Sequence, residues 1–229
     1  RLRSTSSAAS STPPRGSSSV PAKRRSSERL VDTPQGPARL HVHEPDAEVV
    51  GVLALGHGAG GGVAAPDLRA ATTAGLRAGR RVVLVEQPWH VAGRRIAVAP
   101  PRLDEAWLAA LEAVSGDGLL VVGGRSAGAR VACRTATRVG AVGVLALAFP
   151  LHPPGRPDRS RAGELAAAGV PVVVVQGERD AFGSPGDLAA LGLPDVEIVP
   201  APGDHALRAA AEAVADGVRR ALARDTDRV

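Results

Sequence analysis

From residue 29 onward the chain alternates between short apolar runs and longer stretches of helix-forming composition. Six runs, residues 49–55, 81–86, 118–123, 142–149, 170–176 and 196–200, are apolar at most positions rather than at every second one. That pattern predicts strands covered on both faces, as in a parallel sheet. Residues 66–78, 102–114, 127–139, 160–168, 185–191 and 205–223 predict the intervening helices. Pro66, Pro101 and Pro185 stand where a first helical turn tolerates proline. Upstream, residues 29–31 and 39–43 flank Asp32-Thr33-Pro34-Gln35-Gly36 and read as a short hairpin. Repeated βα units imply right-handed crossovers and helices on both sheet faces. The expected fold class is α/β, a mostly parallel doubly wound sheet with an N-terminal antiparallel hairpin. No connection is long enough for a separate lid domain. The longest, residues 150–159, has room only for a flap.

Composition narrows the class. A chain of 229 residues, 44% of them hydrophobic, can bury one substantial core. Residues 1–28 are Ser-, Arg- and Pro-rich with few large apolar side chains and read as a disordered tail; residues 29–225 form the domain. The net charge of +5 belongs to the first thirty residues, which hold seven basic side chains against Glu28 alone. The body is near neutral, so no nucleic-acid partner is expected for the folded domain. An Arg- and Ser-rich, acid-poor start can mimic an organelle transit peptide; translated upstream sequence or a non-conserved extension is the expected reading. No apolar run approaches the roughly 18 residues of a membrane span, so no membrane partner is expected. The single cysteine, Cys133, excludes an internal disulfide and suits a reducing, cytoplasmic setting. On a helix it reads as a small buried packing residue.

The chemistry begins at residues 124–128, Gly-Arg-Ser-Ala-Gly, between the apolar run 119–122 and a helical stretch. A G-x-S-x-G at a strand–turn–helix junction is the setting of a nucleophile elbow, where glycines on either side let strand and helix approach. Two further strand exits carry the partners a serine needs. Asp180 follows the run ending at Gln176, and His205 follows the run ending at Pro200, giving the chain order Ser…Asp…His. An imidazole must take the hydroxyl proton during attack, and a carboxylate on its other nitrogen fixes the tautomer. Glu178 and Asp187 are the competing carboxylates; His57 and His152 are the competing imidazoles. Asp204 reads as a helix cap. Two backbone amides should form an oxyanion hole, Ala127 after the nucleophile and Ala59, with Gly60 next, on the loop Gly56-His57-Gly58-Ala59-Gly60-Gly61-Gly62. His57 is expected to anchor that loop.

Some of the same residues fit rival readings. Gly56, Gly58 and Gly61 match G-x-G-x-x-G after a strand, and Glu86 ends the next strand, as in a dinucleotide site. The next helix signal, however, comes only at Pro66-Asp67, and no cofactor is expected. A non-catalytic scaffold would need neither Ser126 nor His205. His41 and His43 share a strand face without a supporting carboxylate or cysteine pattern, so no metal site is expected and they read as surface residues.

These motifs, together with Pro150-Leu151-His152-Pro153-Pro154-Gly155 and Gln176-Gly177-Glu178-Arg179-Asp180, resemble a bacterial branch of α/β-hydrolases related to dienelactone hydrolases. The set also resembles the hydrolase-like subunit of the non-specific-lethal histone-acetyltransferase complex. The resemblance spans about residues 38–223. It implies an α/β-hydrolase fold and carries the triad onto Ser126, Asp180 and His205. Dienelactone hydrolases proper use a cysteine nucleophile, whereas serine stands here. A serine hydrolase acting through an acyl-enzyme on a small ester, thioester or amide follows as the expected function. Arg125, His152 and Trp89 are candidates to line the substrate site. Arg125 would either pair with a substrate carboxylate or hold local backbone.

Overall fold

The structure, a computed structural model, describes residues 26–114 and 118–223. The tail reading for residues 1–25 lies outside them. Strands β1 (Ser26–Val31) and β2 (Ala38–His43) form the antiparallel hairpin. β1 therefore begins at Ser26, inside the segment assigned to the tail, because a polar edge strand carries no apolar signal. There follow β3 (Gly51–Gly56), α1 (Pro66–Arg77), β4 (Arg81–Glu86), α2 (Pro88–Val91), α3 (Pro100–Glu112), β5 (Leu119–Arg125) and α4 (Ala127–Thr135). The chain continues through β6 (Gly143–Leu147), α5 (Ala162–Ala166), β7 (Val172–Gly177), α6 (Pro185–Ala189), β8 (Val196–Ala201) and α7 (Ala211–Ala223).

The eight strands lie in the order β1-β2-β4-β3-β5-β6-β7-β8. β2 pairs antiparallel with β4, and every pair from β4 to β8 is parallel. Side chains alternate between two cores. Leu53 and Leu55 of β3 join Leu68, Ala71, Val214 and Val218 under α1 and α7. Val52 and Ala54 point the other way, against Trp107, Ala110, Val131 and Ala132 of α3 and α4. Burial on both faces explains the unbroken apolar runs, each large aliphatic side chain contributing about 1.5–3 kcal/mol.

Placement of the site follows from the topology. After β3 the chain moves outward to β4, then crosses back to set β5 on the other side of β3. The carboxyl ends of β3 and β5 thus lie side by side at the switch point, where a doubly wound sheet opens a crevice.

Several element boundaries differ from expectation. α7 starts at Ala211 rather than 205. Before it, Leu207 adopts φ 49°, with its side chain buried, and turn hydrogen bonds run from Leu207 to Asp204 and from Ala210 to Leu207. Helical composition alone cannot register that left-handed residue. β6 stops at Leu147 because Ala148 takes φ 48°. α4 gives way to a 3₁₀ turn at Thr137–Val139 that ends on left-handed Gly140. α2, opened by Pro88 at the exit of β4, was not anticipated. Among the described residues no helix is long and apolar enough to cross a membrane.

Candidate active site

Ser126 occupies the turn between β5 and α4 with φ 52° and ψ −109°. Left-handed backbone at a non-glycine residue costs on the order of 1–3 kcal/mol, so the surroundings must impose it. They do so from both sides. The Ser126 N–H donates to the Leu147 carbonyl at 2.9 Å, keeping the residue in register with β6. Gly124, at φ 154°, and Gly128 both press on the end of β3. A Cβ at either would stand 2.4 Å from the Gly56 carbonyl oxygen.

Two loops deliver the partners. His205 Nε2 lies 3.0 Å from Ser126 Oγ, and its Nδ1 lies 2.8 Å from Asp180 Oδ2. Asp180 has no exposed side-chain surface. Its Oδ1 accepts the Phe182 N–H at 2.8 Å, and its Oδ2 accepts Gln176 Nε2 at 2.9 Å. Gln176, fully buried at the end of β7, also donates to the carbonyls of Gly183 (2.7 Å) and Phe149 (3.2 Å), so it ties the acid loop to the segment that follows β6. With a proton on Nδ1 donated to the carboxylate, Nε2 is left to accept the serine proton. The Phe182 ring rests on the imidazole at a centroid distance of 4.3 Å.

The competing groups are placed elsewhere. Glu178 is exposed, and Asp187 accepts the backbone N–H and hydroxyl of Ser184 in a capping box on α6. Asp204 caps no helix, contrary to the sequence reading. With α7 beginning six residues after Asp204's neighbour His205, its Oδ1 instead accepts the Ala206 N–H at 3.0 Å in a local turn.

The loop after β3 lies against the nucleophile: a Cβ on Gly58 would be 3.4 Å from Ser126 Cβ. Ala59 and Gly60, next in sequence, are exposed. Ala127 is the first residue of α4, where a backbone N–H has no partner within its helix. His57 holds the loop. Its Nε2 accepts the Gln87 N–H at 3.0 Å, so the ring proton sits on Nδ1, which donates to the Gly58 carbonyl at 2.8 Å. Burial lowers the pKa of this imidazole below the usual histidine range.

Arg125 is committed within the protein. Its Nε pairs with Asp67 at 2.8 Å and a terminal nitrogen donates to the His205 carbonyl at 3.0 Å. It is not presented as a free cation to a substrate carboxylate. Trp89 is buried against His57, with ring centroids 5.4 Å apart. Together with Trp107 and Ala127 it lines a cavity of about 10 Å³ behind the elbow. His152 is half-buried; its Nδ1 lies 3.0 Å from the Pro153 carbonyl, and its N–H donates to Phe182 of the acid loop. No contact between His152 and the Ser126–His205–Asp180 chain is among those described.

His41, read as a surface strand residue, is partly buried. It bridges Glu28 (3.0 Å) and Glu86 (3.1 Å), and Glu86 also receives His90 at 2.6 Å and Arg39 at 3.1 Å. Burial acts to raise the Glu86 pKa, but these donors outweigh it and lower it. Among the described residues no group of three or more His, Cys, Asp or Glu is placed to hold a metal ion. Gln176, Phe182, Asp67 and the Glu86 cluster escaped sequence reasoning. Only Gln176, a lone amide ending a valine run, and Asp67, an acid in a first helical turn, left any local signal.

Comparison with known proteins places this geometry. A family model described as an alpha/beta hydrolase domain matches residues 49–220. No curated protein matches the chain by sequence. Among solved structures, a lidless α/β serine hydrolase from Xanthomonas campestris superposes with a TM-score of 0.71 at 20% identity, covering 90% of this chain and 96% of that one. An α/β serine hydrolase homologue from Coxiella burnetii gives 0.71 at 17%, covering 86% and 97%. A dienelactone hydrolase from Anabaena variabilis gives 0.67 at 16%, covering 88% and 98%. At these identities the likeness is one of fold.

Proposed function

The chain belongs to the α/β-hydrolase domain family, and from that premise we propose that it is a serine hydrolase. In this reading Ser126 attacks the carbonyl of a small ester, thioester or amide, His205 takes the hydroxyl proton, and Asp180 stabilises the imidazolium. The observation that carries it is the unbroken chain from Ser126 Oγ through both His205 nitrogens to Asp180, at 3.0 and 2.8 Å. The backbone N–H of Ala127, with that of Ala59 or Gly60, would receive the developing oxyanion. Imidazolium then protonates the leaving group, an acyl-Ser126 ester remains, and water activated by the same imidazole releases the acid.

Short connections around the site favour accessible substrates of modest size, met in the cytoplasm, where a lone unpaired Cys133 suits the redox setting. Trp89 and His152 stand in this reading as candidates to contact substrate. The test is fluorophosphonate labelling of the wild type and Ser126→Ala, with turnover of short p-nitrophenyl esters. Wild-type labelling that Ser126→Ala abolishes, with turnover reduced about 10⁴-fold or more, is the expected result. A wild-type serine that takes no label and turns over no ester sinks the proposal.

A further inference from the structure

Arg125 joins three separate segments of the site. Its Nε meets Asp67 in the first turn of α1, a terminal nitrogen holds the His205 carbonyl, and its guanidinium covers Gly58 on the loop after β3. A Cβ on Gly58 would come within 2.9 Å of it, so glycine there leaves the space that the guanidinium uses. Asp67 is itself tightly held. Its side chain has no exposed surface, and its Oδ1 accepts the Leu68 N–H at 2.9 Å.

We infer that Asp67 and Arg125 are a positioning pair, which fixes the His205 main chain relative to Ser126 and so sets the catalytic hydrogen bond. The inference rests on the hydrolase reading above. Arg125 directly precedes Ser126, so the residue that holds His205 moves with the nucleophile. His205 itself lies on a turn ahead of α7, not within the helix, and needs such an external hold. Only a planar fork can meet Asp67 through one nitrogen and a carbonyl through another; lysine offers a single point of attachment. Burial raises the Asp67 pKa and the Arg125 charge opposes that rise, as expected of a carboxylate kept in place by its partner.

The test uses Asp67→Asn, Arg125→Lys and, as a control, Arg130→Gln, which breaks an ion pair between α4 and Glu164 of α5. Three measurements are made on each protein: the rate of Ser126 labelling by a fluorophosphonate, the NMR resonance of the His205 Nδ1 proton, and the melting temperature. We expect labelling to fall about 10- to 100-fold in Asp67→Asn and Arg125→Lys, with the His205 resonance displaced or lost, and neither to change in Arg130→Gln. Arg125→Lys keeps the ion pair, so its melting temperature should stay near wild type while labelling stays low. A structural role alone would restore both together. An unchanged His205 resonance in both variants overturns the pair's role, as does wild-type labelling in Arg125→Lys. Should the wild type take no label, the hydrolase reading fails, and the resonance still decides the positioning pair.

Discussion

His57 Nε2 accepts the backbone N–H of Gln87 across the exit of β4, and this single bond decides the protonation state of the ring. A backbone amide can only donate, so Nε2 must be bare, and protonating it would break the strap. Burial acts in the same direction and lowers the pKa from 6.5. The unfolded chain therefore binds this proton at a higher pH than the folded chain does. Stability from His57 is complete above the unfolded value and is lost as pH falls from there through the folded one. We expect the melting temperature to drop as pH falls from about 7.5 through 6.5 and below, and His57→Gln, which can still accept and donate, to flatten that drop. Glu86, also lowered, loses its contribution only below its ordinary 4.5 and does not interfere. Thermal melts of both proteins across that range measure the effect.

Gly128 provides a steric prediction. A Cβ there would meet the Gly56 carbonyl oxygen at 2.4 Å and its carbon at 2.5 Å, both backbone atoms that cannot rotate aside. Gly128→Ala should destabilise the protein by about 3 kcal/mol and disturb the loop carrying His57. Gly60, whose Cβ would meet nothing within 4 Å, is the contrast. Gly60→Ala should alter stability by no more than about 0.5 kcal/mol. Urea unfolding of the two variants separates close approach from the general cost of adding a methyl group.

Those glycines also show what the sequence makes legible. The alternation of apolar runs announces the parallel sheet because burial on both faces leaves no room for polar alternation. Residues 124–128 are legible because the elbow needs small residues at fixed offsets. Asp180 and His205 could be placed by chain order, each at the end of a strand, without knowing what holds them. What holds them was not legible. The Arg125–Asp67 pair joins residues 58 positions apart, and the Gln176 contacts depend on which carbonyls reach the end of β7. The turn ahead of α7 was missed because Leu207 adopts its left-handed conformation under tertiary packing, against an alanine-rich stretch that favours helix locally. The bond from His41 to Glu86 is hidden for a similar reason, since the two strands lie 45 positions apart.

Cys133 should be chemically silent in the native state. It is buried in the core on α4, and burial pushes its thiol up to about 12. Since the thiolate is the reactive form, an aromatic disulfide reagent should modify it only as fast as the protein opens. Adding denaturant should bring one equivalent of rapid reaction. Prompt stoichiometric modification without denaturant would contradict the packing described.

Gln176 tests how the acid of the site is held. Its amide nitrogen serves Asp180 Oδ2, the Gly183 carbonyl and the Phe149 carbonyl from a fully buried position. Gln176→Leu keeps much of the volume but strands the buried Gly183 carbonyl, a loss of about 1–3 kcal/mol, whereas the Phe149 carbonyl keeps the Leu151 N–H. Asp180 retains the Phe182 N–H and His205, so the carboxylate keeps two of its partners but is less well directed. Ester turnover should therefore fall through kcat by about 10-fold, well short of the roughly 10⁴-fold expected for Asp180→Asn, which supports the wrong imidazole tautomer. Gln176→Glu should be worse than Gln176→Leu, because two carboxylates would face each other at about 2.9 Å. Like charges that close cannot both ionise in a buried site, so one must carry a proton near neutral pH. The shortfall should therefore widen as pH rises and that shared proton is lost. A kcat–pH profile of the three variants reads this directly, and a Gln176→Glu profile that merely parallels wild type would show that the amide does not direct Asp180.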